Sequence, residues 1–222
     1  VLDDQGYEPV TCLQMRLFPN LPGIEFRMPI HEQITPSLAE VGVRCEPTDI
    51  RVVHTGYTTP EVVSEKQQRY LGIMEKWLET HPEDYIVRSH AAMTYYVRGP
   101  IEKAIANYER ILADGDAEAD RNLVIQTTAE LFLGRCYMRK EAYETALDHL
   151  LKARELDDQY AVTNMTLGEC YTRLKRPQEG LQALEQALKF EDQITFSATD
   201  PAVLRYSIRF FKAQNLEALG HL

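Results

Sequence analysis

Three sets of side chains carry groups able to do chemistry: four cysteines, the pair His31–Glu32 with His54 further on, and the arginines Arg135, Arg139 and Arg173. Thiols would hold a metal or close a disulfide, imidazoles beside a carboxylate would hydrolyse a bond, and guanidiniums would grip an acidic group. Spacing decides among these. Cys12 and Cys45 are isolated and have no CxxC neighbour, so nothing here has the ligand pairing of a zinc site. Cys136 and Cys170 stand 34 residues apart, each three after a leucine, and so hold one seat in successive copies of a repeat. Equivalent seats on packed helices lie roughly 10 Å apart, beyond the ~7 Å between Cα atoms that a disulfide spans. Both read as buried small apolar residues. His31, Glu32 and His54 do not make a hydrolase site by themselves, because two strands and a turn cannot enclose a pocket. His81, His90, His149 and His221 fall on helical surfaces or ends and carry no discernible chemistry.

The elements that hold these groups recur at a fixed period. Leu133-Gly134 followed by Tyr137 returns 34 residues on as Leu167-Gly168 followed by Tyr171, Ala146 returns as Gly180, and Ala153 as Ala187. Small residues in register mean stacked helical hairpins. The pattern resembles the tetratricopeptide (TPR) repeat, with LG-x-x-Y in helix A and small residues at two sites in helix B. Gly134 and Gly168 are expected where helices A and B of one hairpin cross, with Ala146 and Gly180 the matching small residues on helix B. Tyr137 and Tyr171 lay a ring across that seam, a burial worth roughly 1.5–3 kcal/mol each. Ala153 and Ala187 let the next repeat approach.

A weaker copy comes earlier: Ala91-Ala92, Tyr95, Gly99, Ala104, Tyr108 and Ile111. Ala104 and Ala146 are 42 apart, eight over the period. Eight residues are about two helical turns, so an overlong helix A is expected near Ala117 to Met138, opened by the turn and acids of Asp114 to Asp120. A fourth copy starts late. Ala213, Leu216 and Gly220 match Gly168, Tyr171 and Lys175, eleven over the period, with Asp200-Pro201 as cap and first position. The last helix lacks the polar face of a solenoid cap, and the chain opens on Val1. The expectation is a fragment of something longer at both ends.

In TPR proteins the helix A residues line a concave groove. Here those positions are Ser89, Met93 and Tyr96 in the first repeat, Thr128, Arg135 and Arg139 in the second, and Met165, Glu169 and Arg173 in the third. The three arginines form a basic stripe on an acidic chain, suited to an acidic partner or a C-terminal carboxylate, or else surface charge without a role.

Before Tyr57 the helical period disappears. Thr11 to Phe18 and Ile50 to Tyr57 are short, apolar and rich in β-branched or aromatic residues, and read as strands. Pro19, Pro22 and Gly23 break the chain before Ile24 to Met28. A seam at Thr58-Thr59-Pro60-Glu61 starts a junction helix with Tyr70, Leu71, Met74, Trp77 and Leu78 on one face, ending before His81-Pro82.

The succession RLFPN at Arg16 to Asn20, PIHEQITPSL at Pro29 to Leu38 and VVHTGY at Val52 to Tyr57 resembles the C-terminal part of the catalytic domain of bacterial family-2 (GT-A type) glycosyltransferases that carry TPR repeats behind it. Pro19 departs from the family's usual arginine. The resemblance covers about residues 11 to 80 and implies sugar transfer from a nucleotide-sugar by an inverting enzyme. Glu32 would be the base, Arg16 and His31 diphosphate contacts, and His54 a metal ligand. Read from the residues alone, each of these has an ordinary alternative: a local cap or pair for Glu32, a structural role for the histidines, an edge cation for Arg16. The implied cofactors of the intact parent are a divalent metal (Mn or Mg) and the nucleotide-sugar donor. The donor-binding half and its Asp-x-Asp motif are not in this sequence, so the chain alone is not expected to turn over or to bind either tightly.

The expected fold is therefore mostly α. Residues 1–57 would be a short β-containing remnant of an α/β glycosyltransferase domain and 58–81 the junction helix. Residues 82–222 would hold TPR-like repeats at about 85–118, 127–160 and 161–194, with a truncated fourth from about 200. The net charge of −10 argues against nucleic-acid binding and fits either solubility or a basic partner. No apolar run approaches the ~18 residues of a membrane span, and no secretory signal is visible. The expected location is cytoplasmic, the inner membrane face included. Two functions compete: a transferase whose repeats position a protein or glycan acceptor, and a non-enzymatic scaffold that grips a peptide or protein.

Overall fold

The computed structural model describes residues 17–30, 32, 34–44, 46, 60–113, 123–191 and 201–221. The chain divides into two compact units, Val1–Glu83 and Asp84–Leu222.

In the first unit the described residues contain two helices, α1 (Thr35–Glu40) and α2 (Pro60–Thr80). Ile30, Ile34 and Leu38 are buried at the root of α1. The buried Ser37 ties the preceding segment to that helix: its hydroxyl lies 2.8 Å from the Glu25 carbonyl and 2.9 Å from that of Ile34, and accepts from the Glu25 amide at 3.0 Å. Arg27 adds a bidentate pair to Glu40 at 2.7 Å for each oxygen, in the open, where such pairs contribute little. No strand runs through the described residues of this unit. Leu17 and Phe18, the described end of the first expected strand, are irregular and exposed, and the piece before Glu32 holds only an isolated bridge at Arg27. The physical reason is local: four residues at 19, 22, 23 and 29 are Pro or Gly, and Met28 sits at a φ of 76°, outside any strand. The second expected strand, Ile50 to Tyr57, and most of the first lie outside the described residues. α2 starts at Pro60, where the sequence puts it. Its face has Met74 buried and Tyr70, Leu71, Trp77 and Leu78 half-buried, as the spacing requires. It closes on a parallel stack of Trp77 with His81, 3.9 Å between rings.

The second unit holds α3 (Tyr85–Arg98), α4 (Ile101–Ala113), α5 (Leu123–Arg139), α6 (Tyr143–Leu156), α7 (Ala161–Arg173), α8 (Pro177–Lys189) and α9 (Pro201–Ala218). Consecutive helices pack as hairpins, and α3, α5, α7 and α9 also touch in sequence, so hairpins stack through their first helices. A Cβ on Gly134 would lie 2.6 Å from Leu150 Cγ and 3.2 Å from the Ala146 carbonyl oxygen; one on Gly168 would lie 2.4 Å from Leu184 Cγ. Each glycine is thus the socket for a leucine of its own second helix, as the period implies. Turn geometry repeats too. Glu141 and Lys175 both take left-handed φ, 59° and 57°. Around them Ala142 donates to Tyr137 O and Glu141 to Met138 O, then Arg176 to Tyr171 O and Lys175 to Thr172 O, the paired bonds of a Schellman ending. α9 ends the same way, His221 to Leu216 O and Gly220 to Glu217 O, with Gly220 at 76°. Gly220 therefore occupies the seat of Lys175, and α9 stands in the register expected for a fourth helix A.

Two expectations change in detail. α5 has 17 residues against 13 in α7, the added length lying at its N-terminus, and the expected stretch before Leu123 lies outside the described residues. Gly180 also faces the next helix. A Cβ there would meet the carboxamide of Asn215 on α9, 2.7 Å from Oδ1. The buried Asn215 donates to Thr172 Oγ1 at 2.7 Å and to Phe211 O at 2.8 Å, so it cannot swing aside without loss.

Gly168→Ala is expected to destabilise the second unit by about 2 kcal/mol, since overpacking outweighs the ~1 kcal/mol gain in helix propensity. Gly72→Ala, mid-α2 and exposed with nothing within 4 Å of its Cβ, should gain about 1 kcal/mol. Denaturant melts measure both, and a gain at position 168 would disprove the tight seam.

Candidate functional site

Of the residues singled out in the front segment, Arg16, His31 and His54 lie outside the described residues. Glu32 is exposed, on irregular backbone between buried Ile30 and Ile34. Among the described residues no group of three His, Cys, Asp or Glu side chains could hold a metal ion. Of the residues that the resemblance names for a metal and a nucleotide-sugar, Glu32 alone lies among the described residues.

The repeat face is well described. On α3, Ser89, Met93 and Tyr96 are half-buried; on α5, Thr128 and Arg135 are half-buried and Arg139 is exposed; on α7, Glu169 is half-buried and Arg173 exposed. Met165 departs from the set. It is 7% exposed and belongs to the core, as does Leu131 in the same seat one repeat earlier.

The basic stripe divides into two kinds of site. Arg173 is paired with Glu169, one turn away at 3.7 Å. Arg135 and Arg139 instead sit on rings, with guanidinium carbons 5.2 Å from the centroids of Phe132 and Tyr96 respectively. Arg139 also donates to the Tyr96 carbonyl. Among the described residues neither has a carboxylate partner. Their supports form a ladder across three helices: Tyr96 meets Phe132 edge-on at 5.3 Å, and Phe132 stacks on Tyr108 at 5.8 Å. Tyr108 is fully buried, and burial pushes its phenol well above the usual range. A guanidinium held on an aromatic face loses little further freedom when it binds an anion. The ladder was not read from the sequence, though Phe132 and Tyr108 were both visible as helix-face aromatics.

The thiols behave as their register implies. Cys136 and Cys170 are buried and free, and burial pushes each thiol up to about 12, so neither is a nucleophile at neutral pH.

His149 is where the sequence reading fell short. It is largely buried and holds Glu130 at 2.6 Å, with side-chain exposures of 19% and 9%, while its ring lies parallel to Tyr137 at 5.4 Å. Glu130 and His149 are 19 residues apart, and so are Arg88 and Asn107, which meet at 3.3 Å in the first hairpin. In the third, Asn164 has Ala183 at that spacing and turns its amide to the Asp158 carbonyl at 2.8 Å. Aligning the copies would have exposed this polar position; reading histidines one at a time did not.

Residues 97–187 match the family described as anaphase-promoting complex, cyclosome, subunit 3. Among solved structures, YrrB, described as a TPR protein with an unusual peptide-binding site, superposes with a TM-score of 0.50 at 20% identity, over 72% of this chain and 77% of its own. A crystal form of MamA AMB-1 gives a TM-score of 0.50 at 20% identity, over 72% of this chain and 80% of its own. These likenesses show the fold: the hairpins are TPR repeats. No curated protein matches the sequence.

His149→Ala would leave Glu130 buried beside no cation or donor and should destabilise the second unit by about 2–3 kcal/mol, with the double replacement Glu130→Met and His149→Leu recovering most of it. Equilibrium unfolding decides. A loss under about 0.5 kcal/mol for His149→Ala would place the pair with surface ion pairs of no consequence.

Proposed function

We propose that the chain acts as an interaction scaffold, binding a peptide or a segment of a partner protein across the face made by α3, α5 and α7. The observation that carries this reading is the side-chain content of that face. Ser89, Met93, Tyr96 and Thr128 are partly open there, and Arg135 and Arg139 are held ready on aromatic rings, with no carboxylate among the described residues paired to them. Such a surface offers apolar anchors and oriented cations within one run of stacked helices. An acidic segment or a C-terminal carboxylate suits the two arginines; the peptide site reported for YrrB is consistent with a peptide ligand on this fold. No helix of the described residues is long and apolar enough to cross a membrane.

Screening immobilised peptides of varied charge against the chain tests this. Binding should favour acidic peptides, and Tyr96→Ala, which removes both an anchor and the seat of Arg139, should weaken it by about tenfold or more. Equal binding by wild type and Tyr96→Ala would move the site off this face.

A second reading has its own support in the ordered motifs Arg16 to Asn20, Pro29 to Leu38 and Val52 to Tyr57, which the family match at residues 97–187 does not reach. In it the polypeptide is part of a family-2 glycosyltransferase working at the cytoplasmic side of a membrane, with Glu32 as base and with the repeats holding a protein or glycan acceptor. The metal and nucleotide-sugar belong to that reading. Nucleotide-sugar turnover by a polypeptide containing these residues should fall by about 100-fold or more in Glu32→Ala; unchanged turnover would remove Glu32 from the role.

A further inference from the structure

The repeat register singles out one doubly positive seat. Arg135 and Arg139 are one helical turn apart on α5, which sets their Cβ atoms about 5–6 Å from each other. The same two positions, 34 residues on, hold Glu169 and Arg173 of α7, which pair at 3.7 Å. Counted 42 residues back, as Tyr95 stands to Tyr137, they hold Met93 and Val97 of α3. On α9 they are Gln214 and Ala218. Of these four helices α5 alone carries two cations there. Like charges at this spacing repel, yet no carboxylate among the described residues is paired to either arginine. Each guanidinium instead lies on a ring, 5.2 Å from the centroid of Phe132 or Tyr96. Arg139 also donates to the Tyr96 carbonyl, and Arg135 makes no hydrogen bond among the described residues. A guanidinium carries several N–H donors in a fixed fork, so most of both forks remain for a ligand.

We propose that this seat binds a phosphorylated side chain of the partner, with one phosphomonoester bridging Arg135 and Arg139. The inference rests on the reading of this face as a peptide site and names the group the site takes. Charge decides between the candidate anions. A phosphomonoester carries about −1.5 to −2 at neutral pH, which matches two guanidiniums, whereas a single carboxylate leaves one of them uncompensated. Its terminal oxygens accept several charge-assisted bonds at once, so both forks can be used together. Binding also removes the repulsion between the two cations, which α7 relieves within its own helix through Glu169. A nucleic acid suits the seat poorly. Successive phosphates need cations in a track, but the matching positions are apolar on α3 and already paired on α7, in a chain of net charge −10. The seat is built for one isolated dianion.

Three immobilised libraries of short, otherwise random peptides test this on the whole chain, with phosphoserine, serine or Glu-Glu at the centre. The phosphoserine library should bind the chain about tenfold or more tightly than the serine library, and more tightly than the Glu-Glu library. Arg135→Glu gives α5 the Glu–Arg arrangement that α7 already carries, so helical circular dichroism should hold while the preference for phosphoserine disappears. Arg139→Gln should reduce the preference as well. Lys152→Gln, exposed on α6, removes a positive charge elsewhere and should leave it unchanged. Equal binding to the phosphoserine and Glu-Glu libraries overturns the phosphate assignment and leaves the peptide reading standing. Binding to none of the three sinks both. A preference for phosphoserine that survives Arg135→Glu and Arg139→Gln overturns the assignment to this seat. Displacement of phosphopeptides by oligothymidine at equal phosphate concentration would do so in favour of a nucleic acid.

Discussion

The second unit rests on one contact made twice: a leucine of the second helix lying directly on a glycine of the first. Leu150 over Gly134 and Leu184 over Gly168 leave no room for a Cβ, so each pair of helices comes closer there than any larger residue would allow. That closeness fixes the crossing point, and the crossing point fixes where everything else on the helix faces. The two hairpins built this way also share their turn, with Glu141 and Lys175 both in the left-handed region. Leu131 and Met165 are buried in the same seat of the two repeats. The interaction is apolar and made of shape, which is why it tolerates a 34-residue repeat with little else held constant.

On that frame the polar positions vary from repeat to repeat without disturbing the stack. Arg88 with Asn107, and Glu130 with His149, span their hairpins at one spacing, while Asn164 satisfies its amide on the backbone instead. The buried Glu130 has the His149 imidazole against it at 2.6 Å, and the ring of Tyr137 lies parallel to that imidazole. The aromatic ladder under Arg135 and Arg139 works on the same principle at the surface. The rings were built into the packing of α3, α4 and α5, and the cations use their outer faces.

The front unit shows how far a motif reading reaches without packing to check it. Tyr70, Leu71, Met74, Trp77 and Leu78 came out on one face of α2 because a 3.6-residue period leaves little choice. The stretch before Glu32 did not come out as a strand. Its prolines and the positive φ of Met28 prevent one, and the burial of Ser37 ties it to α1 by hydrogen bonds instead. The solved structures this chain resembles speak only to the repeats.

The sequence alone determined the period, the hairpins, the glycine sockets, the burial of Cys136 and Cys170, and the register of α9. Each of these is written in residue size and spacing along one helix, which a sequence displays directly. Tertiary structure alone decided that Gly180 meets Asn215, that Met165 is core, that Arg173 pairs with Glu169 while Arg135 and Arg139 lie on aromatic rings, and that His149 is Glu130's partner. These depend on which neighbour a side chain meets across a gap between helices. Periodicity fixes the direction in which a residue points, but not what stands opposite.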